Sequence, residues 1–405
     1  MNDYSIPIFN AIQLIFLIII GLSTIYIFLF SCAGLFYKQH SIAKSAAFRK
    51  IAVLIPGYKE DEVILEVAEE ALRQDYPREL FDVVIIADSF LPDTLEKLRV
   101  LPVRVIEVSF ELSTKSKALN EAMEQLGDNY DIAVVLDADN VMSHDFLTRI
   151  NTAFDMECMA VQGHRTAKNM NTSLAILDAI SEEINNHIFR KGHRALGLSS
   201  AIIGSGMAFN YDFFKKLMSN VRAIGGFDKE IELKMLKAGH KIEYLDDALV
   251  YDEKVQKSEV FSNQRRRWLS AQLHYFRQDF LFALRDLVLK GNVDYFDKAL
   301  QFIQPPRILL LGSVILFGAI FLGVNYLIRN ALIYSFGWIA ILASCFLAFL
   351  FSVPFSFYNL KTWKALASLP GGMVLMLVSL LKIKGANKRF IHTKHTATSQ
   401  KPEIQ

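Results

Sequence analysis

Residues 7 to 37, "PIFNAIQLIFLIIIGLSTIYIFLFSCAGLFY", contain no Asp, Glu, Lys or Arg. A helix of that length outreaches the ~30 Å hydrocarbon core of a bilayer, so the run reads as a transmembrane helix before the rest of the chain is considered. The competing reading is a cleaved secretory leader. No Lys or Arg precedes the run, no small-residue cleavage site succeeds it, and a leader's apolar stretch is only about 7 to 15 residues long. Lys38, Lys44, Arg49 and Lys50 come next, and the positive-inside rule assigns the middle of the chain to the cytoplasm, with Asp3 and the amino terminus outside.

Two further apolar runs, "ILLLGSVILFGAIFLGVNYLI" at 308–328 and "ALIYSFGWIAILASCFLAFLFSV" at 331–353, lie towards the other end. A third, at 365–383, is interrupted by Pro370-Gly371-Gly372. With the middle of the chain inside, the first of these exits, the second returns, and Lys361 and Lys364 fall inside. A further crossing would place Lys382, Lys384, Lys388 and Arg389 outside, against the same bias. The expected topology is therefore three spans, an interfacial or re-entrant helix near 373–384, and "FIHTKH" at 390–395 on the cytoplasmic side. There His392 and His395 either reach a site entrance or belong to a solvated tail. The whole chain carries a formal charge of only +2, which gives no basic field for nucleic acid. Cys32 and Cys345 lie within apolar runs and Cys158 in the polar middle, a distribution that suggests neither a disulfide framework nor a zinc site.

From about 50 to 250, short β-rich runs alternate with helical patterns: "KIAVLIPGY", "DEVILEVAEEALRQ", "FDVVIIADSF", "PVRVIEVSF", "KSKALNEAMEQL", "DIAVVLDADN". That alternation predicts an α/β domain with a mostly parallel, Rossmann-like sheet. In such sheets ligands bind beyond the carboxyl ends of the strands, where Asp88 and Asp137 are expected.

Asp137 and Asp139, in "VVLDADN", stand one residue apart after an apolar strand; alone they could be an ordinary turn. Three other segments accompany them. "IPGYKED" and "IIADSF" place Pro56, Glu60 and Asp88 at strand ends, where a carboxylate can accept from a base N–H or a ribose hydroxyl, although either acid could simply cap a helix. "STKSKALN" puts Lys115 at a helix start, suited to a diphosphate or merely solvated. "GGFDKEIELKMLKAGH" offers Asp228, Glu230 and Glu232; the two glutamates flank Ile231 and point apart on a helix, so only one of them can face a cleft. In "NQRRRW", Gln264, Arg267 and Trp268 share a helical face able to bind phosphates and stack a sugar; the plain alternative is a basic cluster gripping anionic membrane lipids.

This ordered set, "PGYKE", "ADS", "KSKALN", "DAD", "KEIEL" and "QRRRW", resembles the membrane-bound glycosyltransferases of family 2, the group that includes cellulose, chitin and hyaluronan synthases and ceramide glucosyltransferase. The resemblance spans roughly 50 to 270. Lys59 stands where the family has Asn, and Lys229-Glu230 where it has Glu-Asp. The resemblance implies a GT-A fold and an inverting hexosyl- or N-acetylhexosaminyltransferase using a nucleotide-sugar donor, most simply a UDP-sugar, and a lipid-linked or glycan acceptor. It implies Mg²⁺ or Mn²⁺ at Asp139 with Asp137, donor contacts from Pro56, Glu60, Asp88, Lys115, Asp137, Gln264, Arg267 and Trp268, and a general base at Glu230 with Asp228 as competitor. Trp268 and the Gly204-Ser205-Gly206 turn would meet the acceptor. Gln162 and Arg165 in "VQGHR" match a further family segment, and His164 between them reads as a packed or solvated histidine. The expected layout is a transmembrane helix over 1–40, a cytoplasmic GT-A domain over 48–255, interfacial helices with the QRRRW motif over 256–305, two spans over 306–356, the 365–384 segment and a basic tail over 385–405, in the cell (inner) membrane. Three spans are few for a self-contained polymer pore, which favours a lipid-linked acceptor or additional export subunits, whereas the QRRRW motif, common among polymerising members of the family it resembles, leans the other way; the sequence leaves both open. A catalytically inactive scaffold that binds a nucleotide sugar is the alternative.

Overall fold

The computed structural model describes residues 5–39, 45, 47–223 and 225–383; the segment 390–395 lies outside the described residues. Strand β1 (Ile51–Tyr58) is buried on both faces, with Ile51, Val53 and Ile55 in one apolar layer and Ala52 and Leu54 in the other. Strands β2 (Phe81–Asp88), β3 (Arg104–Val108) and β4 (Ile132–Val135) join it in the parallel order β3-β2-β1-β4. Double burial is why β1, β2 and β4 read as unbroken apolar runs. β1 continues through Pro56 and Gly57, beyond Leu54 where its pairing with β4 ends, so a residue without an N–H is accommodated on the open side.

The sheet is more mixed than the sequence suggests. After β5 (Val141–Met142) and β6 (Ala160–Ala167), strand β7 (Met207–Asn210) inserts antiparallel between β4 and β6. Strand β8 (Ile242–Asp252) runs parallel to β6, and β5 closes the edge antiparallel to β8, completing eight strands in one sheet. One layer packs helices Ile64–Ala71 and Phe146–Ala153 against the sheet, and the other packs helices Lys115–Leu126, Tyr211–Met218 and Phe227–Lys237. The strand ends that carry Glu60, Asp88 and Asp137 therefore open on one edge of the sheet, as the parallel order requires.

The register of β6 on β8 shifts between Gly163 and His164, and the bulge drives the imidazole into a charged nook. His164 Nε2 lies 3.0 Å from Glu183 and Nδ1 lies 3.0 Å from Asp246, which also pairs with Lys191 at 2.7 Å. Burial acts to lower the histidine's pKa, but the hydrogen bonds and charges of Asp246 and Glu183 outweigh it and raise it to about 9. A folded-state pKa above the ordinary ~6.5 contributes stability that is complete below that value and is lost as pH rises through about 9. The melting temperature is thus expected to fall between pH 7 and 9.5, and His164→Gln is expected to flatten that slope in a thermal-shift titration.

Three helices are long and apolar enough to cross a membrane: Ser5–Gly34, Arg307–Leu327 and Leu332–Ser352. They pack together through Phe16, Phe317, Phe321 and Trp338, with Phe321 and Trp338 stacked at 5.0 Å, and through small polar contacts such as Ser31 to Ser352 at 2.9 Å. Leu360–Leu366 and Leu369–Leu381 form a pair bent by 49°. Pro370 is the second residue of the second helix of this pair, and Gly371 and Gly372 continue its first turn. The expected interruption at Pro-Gly-Gly is therefore a helix start, since proline's missing N–H is not needed in a first turn. The first membrane helix is tied to the α/β domain at a π-helical segment, Asn186–Gly192. A Cβ on Gly192 would stand 2.1 Å from the Phe30 carbonyl oxygen, so only glycine permits this approach. His193 stacks on Phe30 at 3.7 Å and lies 3.1 Å from both Asp297 and Gln301.

Candidate active site

The strand ends open into a cavity of about 730 Å³ that reaches from Pro56, Glu60 and Asp88 to Gln301 and Phe302. At one rim, β1 and β2 turn through left-handed backbone at Lys59 (φ 56°) and Ser89 (φ 60°), a conformation that costs non-glycine residues energy and recurs at functional sites. These turns bring Glu60 and Asp88, 8% and 3% exposed, onto the same wall. The family's Asn at position 59 suits this geometry better than Lys, because a short amide side chain tolerates left-handed backbone.

Asp137 and Asp139 line the floor. Lys115 opens its helix as expected, but its ammonium is engaged by the Asp137 carboxylate at 2.5 Å and the Gly204 carbonyl at 2.8 Å. It thereby fixes the orientation of Asp137. The backbone N–H of Asp137 donates to Ser205 Oγ at 2.9 Å, and Ser205 in turn donates to Asn140. Asn140 Nδ2 then reaches both Asp139 Oδ1 at 3.1 Å and Asp252 Oδ1 at 3.0 Å. The second aspartate is 5% exposed and is held in a bracket that spans from β4 to β8.

Of the Gly204-Ser205-Gly206 turn, only Gly204 lines the cavity. It needs its glycine for a φ of 83°, and the position of its absent Cβ lies 3.6 Å from Asp228. Ser205 is fully buried behind it, and Gly206 packs against Val250 and Gln162. Gln162 is likewise internal: its amide donates to the carbonyls of Ser205 and Gly206, and its oxygen accepts from Ile203 N–H.

Gln264, Arg267 and Trp268 all face the cavity from the long helix Ser258–Lys290. Burial lowers the Arg267 pKa while the negative charge of Asp137 opposes it, which places the guanidinium within the electrostatic reach of the floor. Arg265 points elsewhere: it pairs with Asp178 and stacks over the Trp268 ring at 4.5 Å, bracing the indole.

The helix Phe227–Lys237 settles which acidic residues face the cleft. Phe227, Ile231 and Met235 pack on the sheet, and Leu233 and Leu236 pack on the long helix pair. Between those two stripes lie Asp228 and Glu232, one turn apart, and both line the cavity. Glu230 is about 200° round from either neighbour at i±2 and is not part of the lining. Its carboxylate accepts from Lys234 at 2.6 Å and from the Arg222 backbone N–H at 3.3 Å.

Arg165, which the "VQGHR" segment singled out, is joined on the wall by Glu182, Arg190 and Lys254, which no motif named. Arg165, Arg190 and Lys254, 6%, 2% and 2% exposed, surround Glu182 and Asp252. Burial works against ionisation of both acids, but Arg165 and Lys254 hold their pKa values below the usual carboxylate range. For Glu182 the available sequence signal was its i, i+4 spacing from Asp178 on one helix face.

Residues 49–271 match the family described as "Glycosyltransferase like family 2", more than half of the chain. An N-acetylglucosaminyltransferase of Rhizobium meliloti (strain 1021) is 25% identical over 244 residues, 57% of each chain. A probable glycosyltransferase of Bacillus subtilis (strain 168), YdaM, is 24% identical over 230 residues, 54% of each. The chain thus spans just over half the length of these curated relatives. Among solved structures, the mannosyltransferase PcManGT of Pyrobaculum calidifontis, in complex with GDP-Man and Mn²⁺, shares the fold at a TM-score of 0.58 and 18% identity, covering 92% of this chain and 99% of its own. With a GT-A fold, strand-end carboxylates and a matching family domain, the chain belongs to glycosyltransferase family 2.

Proposed function

We propose that the protein moves a sugar from a nucleotide-sugar donor to a hydroxyl of a lipid-linked or glycan acceptor, with inversion, at the cytoplasmic face of the cell membrane. The observation that carries this reading is that one cavity joins Glu60, Asp88, Asp137 and Asp139 to Asp228, Gln264, Arg267 and Trp268.

Glu60 and Asp88 accept from the nucleoside, while Arg267 and Gln264 face the diphosphate. Lys115 acts by orienting Asp137. The hard carboxylate oxygens of Asp139 and Asp137 suit Mg²⁺ or Mn²⁺, and because no cluster of three or more such ligands exists among the described residues, donor phosphates and water would complete the shell. Such an ion supplies Lewis-acid neutralisation of the departing diphosphate. Asp228 takes the acceptor proton as the hydroxyl attacks, because it is the acid of the 228–230 segment that lies on the cavity wall. Glu230, at the family's base position, instead ties the helix start to Arg222 and Lys234. Trp268, braced by Arg265, offers a stacking face for a sugar.

A single inverting displacement needs one base and one leaving-group site, which is what this wall supports. The inactive-scaffold reading would follow from Lys229 replacing an acid, but an acid remains on the wall next to it. Purified protein is expected to release nucleoside diphosphate in a metal-dependent manner from one member of a panel of UDP- and GDP-sugars. No release from any donor would favour the scaffold. The three candidate spans favour a lipid-linked acceptor, or a polymer path completed by other subunits.

A further inference from the structure

We propose that Glu232 and Lys298 form the acceptor subsite and that it takes a neutral sugar through its hydroxyls. The assignment rests on the glycosyl-transfer reading above and goes beyond it in naming the group bound. Glu232 lies one helical turn from Asp228 on the same wall and is only 2% exposed. Its Oε1 accepts from Lys298 Nζ at 2.8 Å, whereas its buried Oε2 has no hydrogen-bond partner among the described residues. A buried carboxylate oxygen left unpaired is costly, so its retention beside a cavity points to a donor that arrives with a ligand. Burial also raises the Glu232 pKa against the lowering influence of Lys298, as expected of a carboxylate whose solvation is incomplete.

Lys298 is 7% exposed and reaches Gln301 Oε1 at 3.3 Å, and Gln301 and Phe302 continue the wall. These residues shortly precede the candidate span that starts at Arg307. Charge selects the ligand. A phosphate would face Asp228 and Glu232, and an ammonium would face Lys229 and Lys298, all four on the wall. A hydroxyl can donate to Glu232 Oε2 and accept from the Lys298 ammonium at once. The Phe302 ring, 5.4 Å from the Lys298 nitrogen, supplies an apolar face for the sugar's C–H groups.

The test uses the full chain in lipid nanodiscs, with a donor that the wild type hydrolyses. Octyl β-D-glucoside, octyl α-D-mannoside and octyl N-acetyl-β-D-glucosaminide are titrated below their micelle concentrations, with octyl phosphate and octylamine as charged controls. Saturable acceleration of nucleoside diphosphate release by at least one glycoside is expected. Glu232→Gln and Lys298→Met should each raise the half-saturating glycoside concentration about tenfold or more, with less than about a threefold change in donor KM. Because either variant strands a buried partner, the swap Glu232→Lys with Lys298→Glu is included. It should restore the melting temperature without restoring glycoside affinity. Recovery of both in the swap would make the pair purely structural and overturn the proposal, as would saturation by octyl phosphate or octylamine in place of the glycosides. Failure of every glycoside on a protein that still hydrolyses donor overturns the subsite alone, whereas absence of donor hydrolysis defeats the parent reading and the subsite with it.

Discussion

Asp139→Asn is expected to reduce sugar transfer by on the order of 10³-fold or more while the melting temperature stays close to that of the wild type. The substitution removes a charge with almost no change in volume, and loss of an electrostatic contact worth several kcal/mol at a departing diphosphate has that effect on rate. Folding should tolerate it because the contact from Asn140 Nδ2 to position 139 can be kept by an amide oxygen, and because the wider bracket of Ser205, Asn140 and Asp252 does not depend on the carboxylate charge. Two measurements separate the explanations. Transfer is tracked as nucleoside diphosphate release, and Mn²⁺ binding in the presence of UDP or GDP is tracked by electron paramagnetic resonance. A variant that has lost transfer and weakened its Mn²⁺ binding supports the metal role. Full activity in the variant, or in wild type with excess chelator, removes it.

The parallel half of the sheet was legible because its chemistry is local: strands buried on both faces must be apolar throughout, and β1, β2 and β4 are. The helix Lys115–Leu126 was legible to the residue, since Thr114 caps it by accepting from the Lys117 N–H. Other features depend on contacts remote in sequence. The antiparallel insertion of β7 is a pairing of Met207–Asn210 with strands some seventy and forty-five residues upstream, and nothing in its four residues announces a direction. The π-helical turn at Asn186–Gly192 carries no periodicity signal of its own; it ends where Gly192 approaches Phe30 on the helix Ser5–Gly34, a contact remote in sequence. The strand-end acids picked out by motif line one cavity, and "VQGHR" pointed to Arg165, yet the motifs were silent on Glu182, Arg190 and Lys254, which meet Arg165 only when β6, β8 and the helix Ser173–Asn185 are assembled. The choice among Asp228, Glu230 and Glu232 was likewise a matter of helix rotation. That rotation is fixed by Phe227, Ile231 and Met235 on one side and by Leu233 and Leu236 on the other.

That rotation yields the second large effect. Asp228→Asn should lower turnover by about 10²- to 10⁴-fold, the usual range for removal of a general base, with donor KM far less affected. Glu230→Gln should have a smaller effect on turnover and a larger one on stability, because Glu230 accepts from Lys234 and from the Arg222 backbone and does not line the cavity. Asp228 sits in the first turn of its helix, where a carboxylate is favoured by the unpaired backbone N–H groups, and Lys229 Nζ lies 3.4 Å from it. The lysine at position 229, which stands where the family carries an acid, is therefore compatible with catalysis if the base is its neighbour on the amino side. Single-turnover rates of the two variants with a saturating donor decide the matter, read beside their thermal unfolding. If Glu230→Gln is the crippling change and Asp228→Asn turns over normally, the helix must rotate by about half a turn when substrates bind, and the base is Glu230.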